Sequence, residues 1–185
     1  MILLQSGKKV LPLTLTLILL MLLLSAGCAP PEAPAPPPPA PPPPAQPEQQ
    51  KVILYFANER ADLLVREERL IVPAGREKAV AALDELIKGP AYPAHIRTVP
   101  PDVQVLGVEI VNGIADANFS EELRSSHWGG STGEFFTVYS IVHTLAEFPG
   151  VERVQIRIEG EIVETLVGHL ELGKPLTPDP GLVSP

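Results

Sequence analysis

Six consecutive apolar positions, Val52 to Ala57, open the part of this chain in which apolar and polar residues mix. A run without alternation needs cover on both faces, so it reads as an interior strand. Asn58 to Asp62 is a polar turn, and Leu63 to Val72 a second strand interrupted by Arg66-Glu67-Glu68. After Pro73-Ala74-Gly75 the period changes. Val80, Leu83, Leu86 and Ile87 recur at three- and four-residue spacing and form one helical stripe, which Lys88-Gly89-Pro90 stops. A loop containing Pro90, Pro93, Pro100 and Pro101 follows.

Val103 to Phe119 predicts a hairpin. Asn112-Gly113 is the preferred pair for a two-residue type I′ turn. A turn there sets Ile110 opposite Ala115, Val108 opposite Ala117 and Leu106 opposite Phe119, all apolar and on one face. Gly107, Glu109, Asp116 and Asn118 form the other face. Ser131-Thr132-Gly133-Glu134 fits a capping box, and the helix behind it buries Phe135, Val138, Ile141 or Val142, and Leu145. Phe148-Pro149-Gly150 ends that helix. Val154, Ile156 and Ile158 alternate as a strand, and a turn at Gly160-Glu161 pairs Ile158 with Val163 and Arg157 with Glu164. The order ββα-ββα-ββ predicts an α+β fold: one mixed or antiparallel sheet of about six strands with two helices on one face.

Composition separates this domain, residues 51–178, from what precedes it. A basic pair, Lys8 and Lys9, leads into the 15-residue apolar run Val10 to Leu24. As a helix that run rises about 22 Å, short of the ~30 Å hydrocarbon core, so residues 1–27 read as a signal peptide. Leu24-Ser25-Ala26-Gly27 stands before Cys28, the only cysteine. This segment resembles the lipobox of bacterial lipoproteins, which implies cleavage before Cys28 and a lipid on its thiol. More than one acyl chain is needed for stable anchoring. From Pro30 to Pro47, 12 of 18 residues are proline. Such a segment favours polyproline II, so residues 28–50 read as a lipidated cysteine and a spacer. Residues 179–185 read as a tail.

The chain carries a formal charge of -8, and removing Lys8 and Lys9 with the leader makes it more acidic by two. That balance excludes nucleic acid, whose phosphates need clustered Lys and Arg, and leaves the lipid on Cys28 as the membrane contact. Gly129-Gly130-Ser131-Thr132-Gly133 matches the G-x-S-x-G of a nucleophile elbow. The strand an elbow requires directly before the serine is missing, so Ser131 reads as a helix cap and no catalytic residue is assigned. His95, His127, His143 and His169 have no metal-ligand spacing, so no metal or cofactor is expected. Glu67-Glu68 and Glu121-Glu122 read as solvated surface charge. Trp128 is either a core residue or an exposed recognition residue.

Six blocks in order resemble the GerMN domain of the GerM-like sporulation and germination family. They are Val52 to Phe56, Leu86-Ile87-Lys88-Gly89-Pro90, Val105 to Val108 with its Asn-Gly hairpin, Phe119 to Leu123, Gly130 to Glu134, and Phe148 to Val151 followed by Ile158-Glu159-Gly160. The resemblance implies a non-catalytic module on the outer face of a membrane, in the envelope complex of spore formers, related to ring-building modules of secretion systems. The family's founding member carries two such domains in tandem; this chain has room for one. The expected partner is an envelope protein or a second copy of the chain. The alternative is a lipoprotein that binds cell-wall glycan or peptide, which requires a cleft with exposed aromatics.

Overall fold

Strand β1 (Gln50–Ala57) and strand β2 (Leu64–Ile71) form an antiparallel hairpin that places Leu54 opposite Glu67 and Phe56 opposite Val65. The structure, a computed structural model, describes residues 48–185; the leader, Cys28 and the proline-rich segment expected upstream lie outside the described residues. Helix α1 (Lys78–Lys88) buries the predicted stripe, Val80, Leu83, Leu86 and Ile87, together with Ala79, Ala81 and Ala82. Val52, Leu54 and Phe56 join this core. Tyr55 and Ala57 point the other way, into a second cluster with Leu64 and Phe136. The continuous apolar run of β1 is thus covered on both faces.

Strands β3 (Val105–Val111), β4 (Ile114–Phe119), β5 (Arg153–Ile158) and β6 (Glu161–Ile162) form a second sheet in that order. The β4–β5 pair is parallel, because a short helix α2 (Glu122–Ser125) and the long helix α3 (Gly130–Ala146) carry the chain back between them. The architecture is α+β as expected, but its strands divide into a hairpin and a four-stranded sheet instead of one sheet of six. The free edge of β1 is already taken: the Tyr55 N–H donates to Thr144 Oγ1 at 3.2 Å, and Ala57 and Ile96 exchange backbone bonds of 3.2 and 2.8 Å. With those groups satisfied by α3 and the proline-rich loop, no further strand can pair with Tyr55 and Ala57.

The Asn112-Gly113 turn has φ of 50° and 80°, the double positive φ of type I′. Val108 faces Ala117 and Ile110 faces Ala115, as the turn dictates. Beyond Gly107 the register slips. Val105, not Leu106, lies opposite Phe119, and the irregularity between Val105 and Gly107 leaves Leu106 47% exposed. One extra residue in an edge strand makes a bulge and turns a side chain outward. Ile110 is also exposed at the sheet margin, although it lies on the core face. The last hairpin turns one residue earlier than expected. Glu159 and Gly160 take positive φ, pairing Ile158 with Glu161 and Arg157 with Ile162. A β-branched residue cannot take the left-handed turn without strain, so Gly113→Val is expected to lower stability by about 1–3 kcal/mol. Urea unfolding of the variant checks this, with an unchanged midpoint as the contrary result.

Helix α3 is buried nearly all round, from Phe136 to Leu145, and so packs between layers instead of on one face. Phe136, not Phe135, is the buried member of the aromatic pair. Residues 179–184 pack back onto β2, where Ser184 N–H donates to Leu64 C=O at 2.8 Å and Val183 joins the Tyr55 cluster.

Candidate functional site

The entry to α3 is built from glycine. Gly129 and Gly130 have φ of 94° and 56°, and a Cβ on Gly133 would lie 2.2 Å from the Trp128 carbonyl oxygen. Only glycine lets the turn and the first helical turn approach so closely. The predicted capping box is absent: Gly129 occupies the cap position, no side chain caps the helix, and Ser131 is exposed within the first turn. The tight glycine turn rotates Ser131 outward and Glu134 inward. Glu134 is wholly buried. Its Oε1 accepts from Thr165 Oγ1 at 2.6 Å and from the N–H groups of Leu166 and Val167 at 2.8 and 3.1 Å. Its Oε2 accepts from His169 N–H at 2.8 Å. One carboxylate thereby gathers the loop after β6.

A second buried carboxylate does the same at the other end of the domain. Glu67 is only 2% exposed, contrary to the expected surface charge, because its strand position faces Leu54 and the core. It accepts from Arg69 Nη2 at 3.0 Å, Ala91 N–H at 3.0 Å, Tyr92 N–H at 3.4 Å and His95 Nδ1 at 2.6 Å. Arg69 continues to the carbonyls of Glu85 and Gly89, and Arg97 donates to those of Ile87 and Lys88. The last carbonyls of α1 therefore find arginine partners. Glu68 remains exposed, paired with Lys51 and Arg66, and Glu121 pairs with Arg124 near the surface.

A buried hydroxyl chain fixes the proline-rich loop to α3. Thr98 Oγ1 donates to Ser140 Oγ at 2.8 Å, and Thr137 Oγ1 donates to the Thr98 carbonyl. Ser131 makes no side-chain hydrogen bond among the described residues, and the histidine nearest it in sequence, His127, bonds to Thr137 instead. His143 lies a helix length away, between Tyr55 and Tyr139. Nucleophile and base are not brought together. Among the described residues, no group of three or more His, Cys, Asp or Glu is placed to hold a metal ion, and no helix is long and apolar enough to cross a membrane.

What remains available is surface. The open face of the second sheet is a shallow concavity of about 430 Å³ bounded by Gly107, Glu109, Asp116 and Arg157. There Arg157 Nε donates to both Asp116 oxygens at 2.8 Å. A smaller apolar groove of about 190 Å³ runs past Ile96, Trp128 and Phe136. Trp128 is 43% exposed and Tyr92 60%.

These buried groups set the acid response. Burial pushes the pKa values of His127 and His143 below the ordinary 6.5. The unfolded chain then takes up protons near pH 6.5 that the folded chain refuses, and stability falls as pH drops below that value. Burial alone would raise the Glu67 and Glu134 carboxyls, but their hydrogen bonds outweigh it and hold both below the ordinary 4.5. Their contribution is present above pH 4.5 and is lost as pH falls through the folded values. Asp84, raised by burial, opposes this weakly. At the other extreme Tyr55 is pushed up to about 12 by burial and its bond to Glu147, so stability also declines above pH 10. Urea midpoints measured from pH 3 to 8 are expected to fall in two acid stages; a flat profile below pH 6.5 is the contrary outcome.

Fold and site together define a small α+β module whose interior carboxylates hold loops in place and whose free features are surfaces. A family model described as "Germane: Sporulation and spore germination" matches residues 53–164, more than half of the chain, and the chain belongs to that family. The chain is similar to the tandem GerMN domains of the sporulation protein GerM from Bacillus subtilis, at 22% identity and a TM-score of 0.59, covering 74% of this chain and 48% of that one. It is also similar to the first GerMN domain of that protein, at 24% identity and a TM-score of 0.59, covering 69% of this chain and 97% of that one. The chain spans about half the length of the tandem structure and carries one GerMN domain. A comparison with curated protein sequences returns no match.

Proposed function

We propose that this protein is a lipid-anchored envelope component whose GerMN domain is a non-catalytic docking and assembly module in sporulation or spore germination. One observation carries the reading. Glu67, Glu134, His95 and His127 are all engaged in holding loops, while large apolar side chains on β3 stand open. In this reading residues 1–27 are the leader, Cys28 carries the lipid, residues 29–50 hold the domain off the membrane, and the partner is an envelope protein. A second reading, recognition of cell-wall glycan or peptide, draws on the exposed Trp128 beside its groove and on Tyr92.

Photo-crosslinking from intact cells, with the crosslinker at Leu106 or at Trp128, tests the module. Discrete protein adducts support it. Adducts with wall fragments alone favour the second reading, and no adduct from either position refutes the first. Cys28→Ser is expected to remove lipid labelling and leave the leader uncleaved. Metabolic labelling with an alkyne fatty acid checks this, and undiminished label in the variant contradicts the anchor.

A further inference from the structure

An edge strand exposes a row of N–H and C=O groups that another chain can pair with, so most edges are guarded. Three edges of this domain are. The outer edge of β2 carries Arg66 and Glu68, and Ser184 binds its start at Leu64. The edge of β1 is closed at Tyr55 and Ala57 by Thr144 and Ile96, and its start carries the exposed Lys51. Strand β6 is two residues long. Strand β3 is different. It is seven residues long, and Leu106, Ile110 and Val111 are 47%, 42% and 49% exposed.

The register defines what β3 presents. Val111 and Ile114 flank the type I′ turn and bond to each other, so along β3 the outward-pointing backbone belongs to Ile110, Val108 and Val105. Arg76 Nη2 already donates to the Val105 carbonyl at 3.0 Å. Val108 and Ile110 are left with a free N–H and C=O each among the described residues. Beside them Glu109 faces the open side of the sheet with no ion pair among the described residues, next to an Asp116 whose charge Arg157 already holds.

We propose that the outer edge of β3 accepts an extended segment of a partner protein as an added strand, with Lys or Arg on the face that meets Glu109 and apolar side chains on the face that meets Ile110. The inference rests on the docking-module reading and assigns its surface. Charge selects the occupant. A second copy would bring another β3 whose one charged residue is Glu109, placing like charges on one face of the joined sheet, between chains that each carry -8. A basic strand supplies the missing cation and gains from the same net charge.

The probe is a capped heptapeptide alternating valine and lysine, with a valine–glutamate peptide as its opposite, added to the full-length protein in detergent. Amide hydrogen–deuterium exchange is expected to slow at 106–111 with the lysine peptide and far less with the glutamate one. Ile110→Pro removes an outward N–H without touching the bonds to β4, and is expected to weaken lysine-peptide binding at least tenfold with an unchanged melt. Glu109→Lys, which leaves the strand intact even if the proline variant fails to fold, is expected to reverse the preference between the peptides. Slowing elsewhere, or equal binding of both peptides by wild type and Glu109→Lys, overturns the proposal. So does concentration-dependent protection of 106–111 without peptide, which makes the occupant a second copy. Crosslinks from Trp128 but not from Leu106 in cells sink the edge and leave the module reading standing; adducts from neither sink that reading itself.

Discussion

Glu134→Ala is expected to destabilise the domain by about 3–4 kcal/mol and to free the loop 165–169. The carboxylate is the shared acceptor for three backbone N–H groups and a hydroxyl. Leu166 N–H lies in a buried bond and loses its partner, at about 1–3 kcal/mol; the part-buried Val167 and His169 N–H groups add less. Leu166 and Leu172, buried in the main core, sit on the segment this carboxylate holds, so loosening the loop also exposes apolar surface. A Tm drop on the order of 10 °C follows from that range. Glu134→Gln keeps one acceptor but points an NH₂ at a donor, and its loss is expected to be smaller. Urea unfolding gives the energies, and amide exchange at 166–169 locates the change. A loss below about 0.5 kcal/mol, the ordinary result for a surface residue, contradicts the assignment.

The second large effect is expected at Glu67. Glu67→Ala removes the acceptor for Arg69, His95 and the N–H groups of Ala91 and Tyr92. It leaves Arg69, whose side chain is 18% exposed, with Glu85 as its one carboxylate partner among the described residues. Breaking a buried pair by deleting one partner costs about 3–5 kcal/mol. Because the Glu67 carboxyl is held below its ordinary value and is ionised, its partner nitrogen on His95 carries the proton. His95→Ala should therefore overlap with Glu67→Ala, and the double variant should lose less than the two singles together by about 0.5–3 kcal/mol. A solvated Glu67 would change stability by no more than about 0.5 kcal/mol, and additive singles would show that the two side chains do not act as a unit.

Sequence alone determined what depends on local pattern. The unbroken run Val52 to Ala57 required two covered faces, and it has them. The spacing of Val80, Leu83, Leu86 and Ile87 located the buried side of α1. Asn112-Gly113 set the turn and the register next to it. The family blocks were legible because each is a local signal, an apolar run as at Val52 to Phe56 or a turn as at Asn112-Gly113.

Tertiary structure decided the rest, because it depended on partners far apart in the chain. Glu67 sits in a polar triplet that reads as surface, and only the docking of residues 89–97 against β2 buries it and supplies its donors. Ser131 and Glu134 fit a capping box by spacing, but the contact of Gly133 with the Trp128 carbonyl turned the serine out and the glutamate in. Leu106 alternated correctly for the core until a bulge opposite Asn118 moved Val105 into its place. The strands parted into two sheets, and Thr144 and Ile96, 89 and 39 residues beyond the β1 groups they bind, took the edge positions at Tyr55 and Ala57. A local pattern says which face of an element is apolar. Which edge stays free, and which carboxylate goes inside, is settled only when distant segments compete for the same backbone hydrogen bonds.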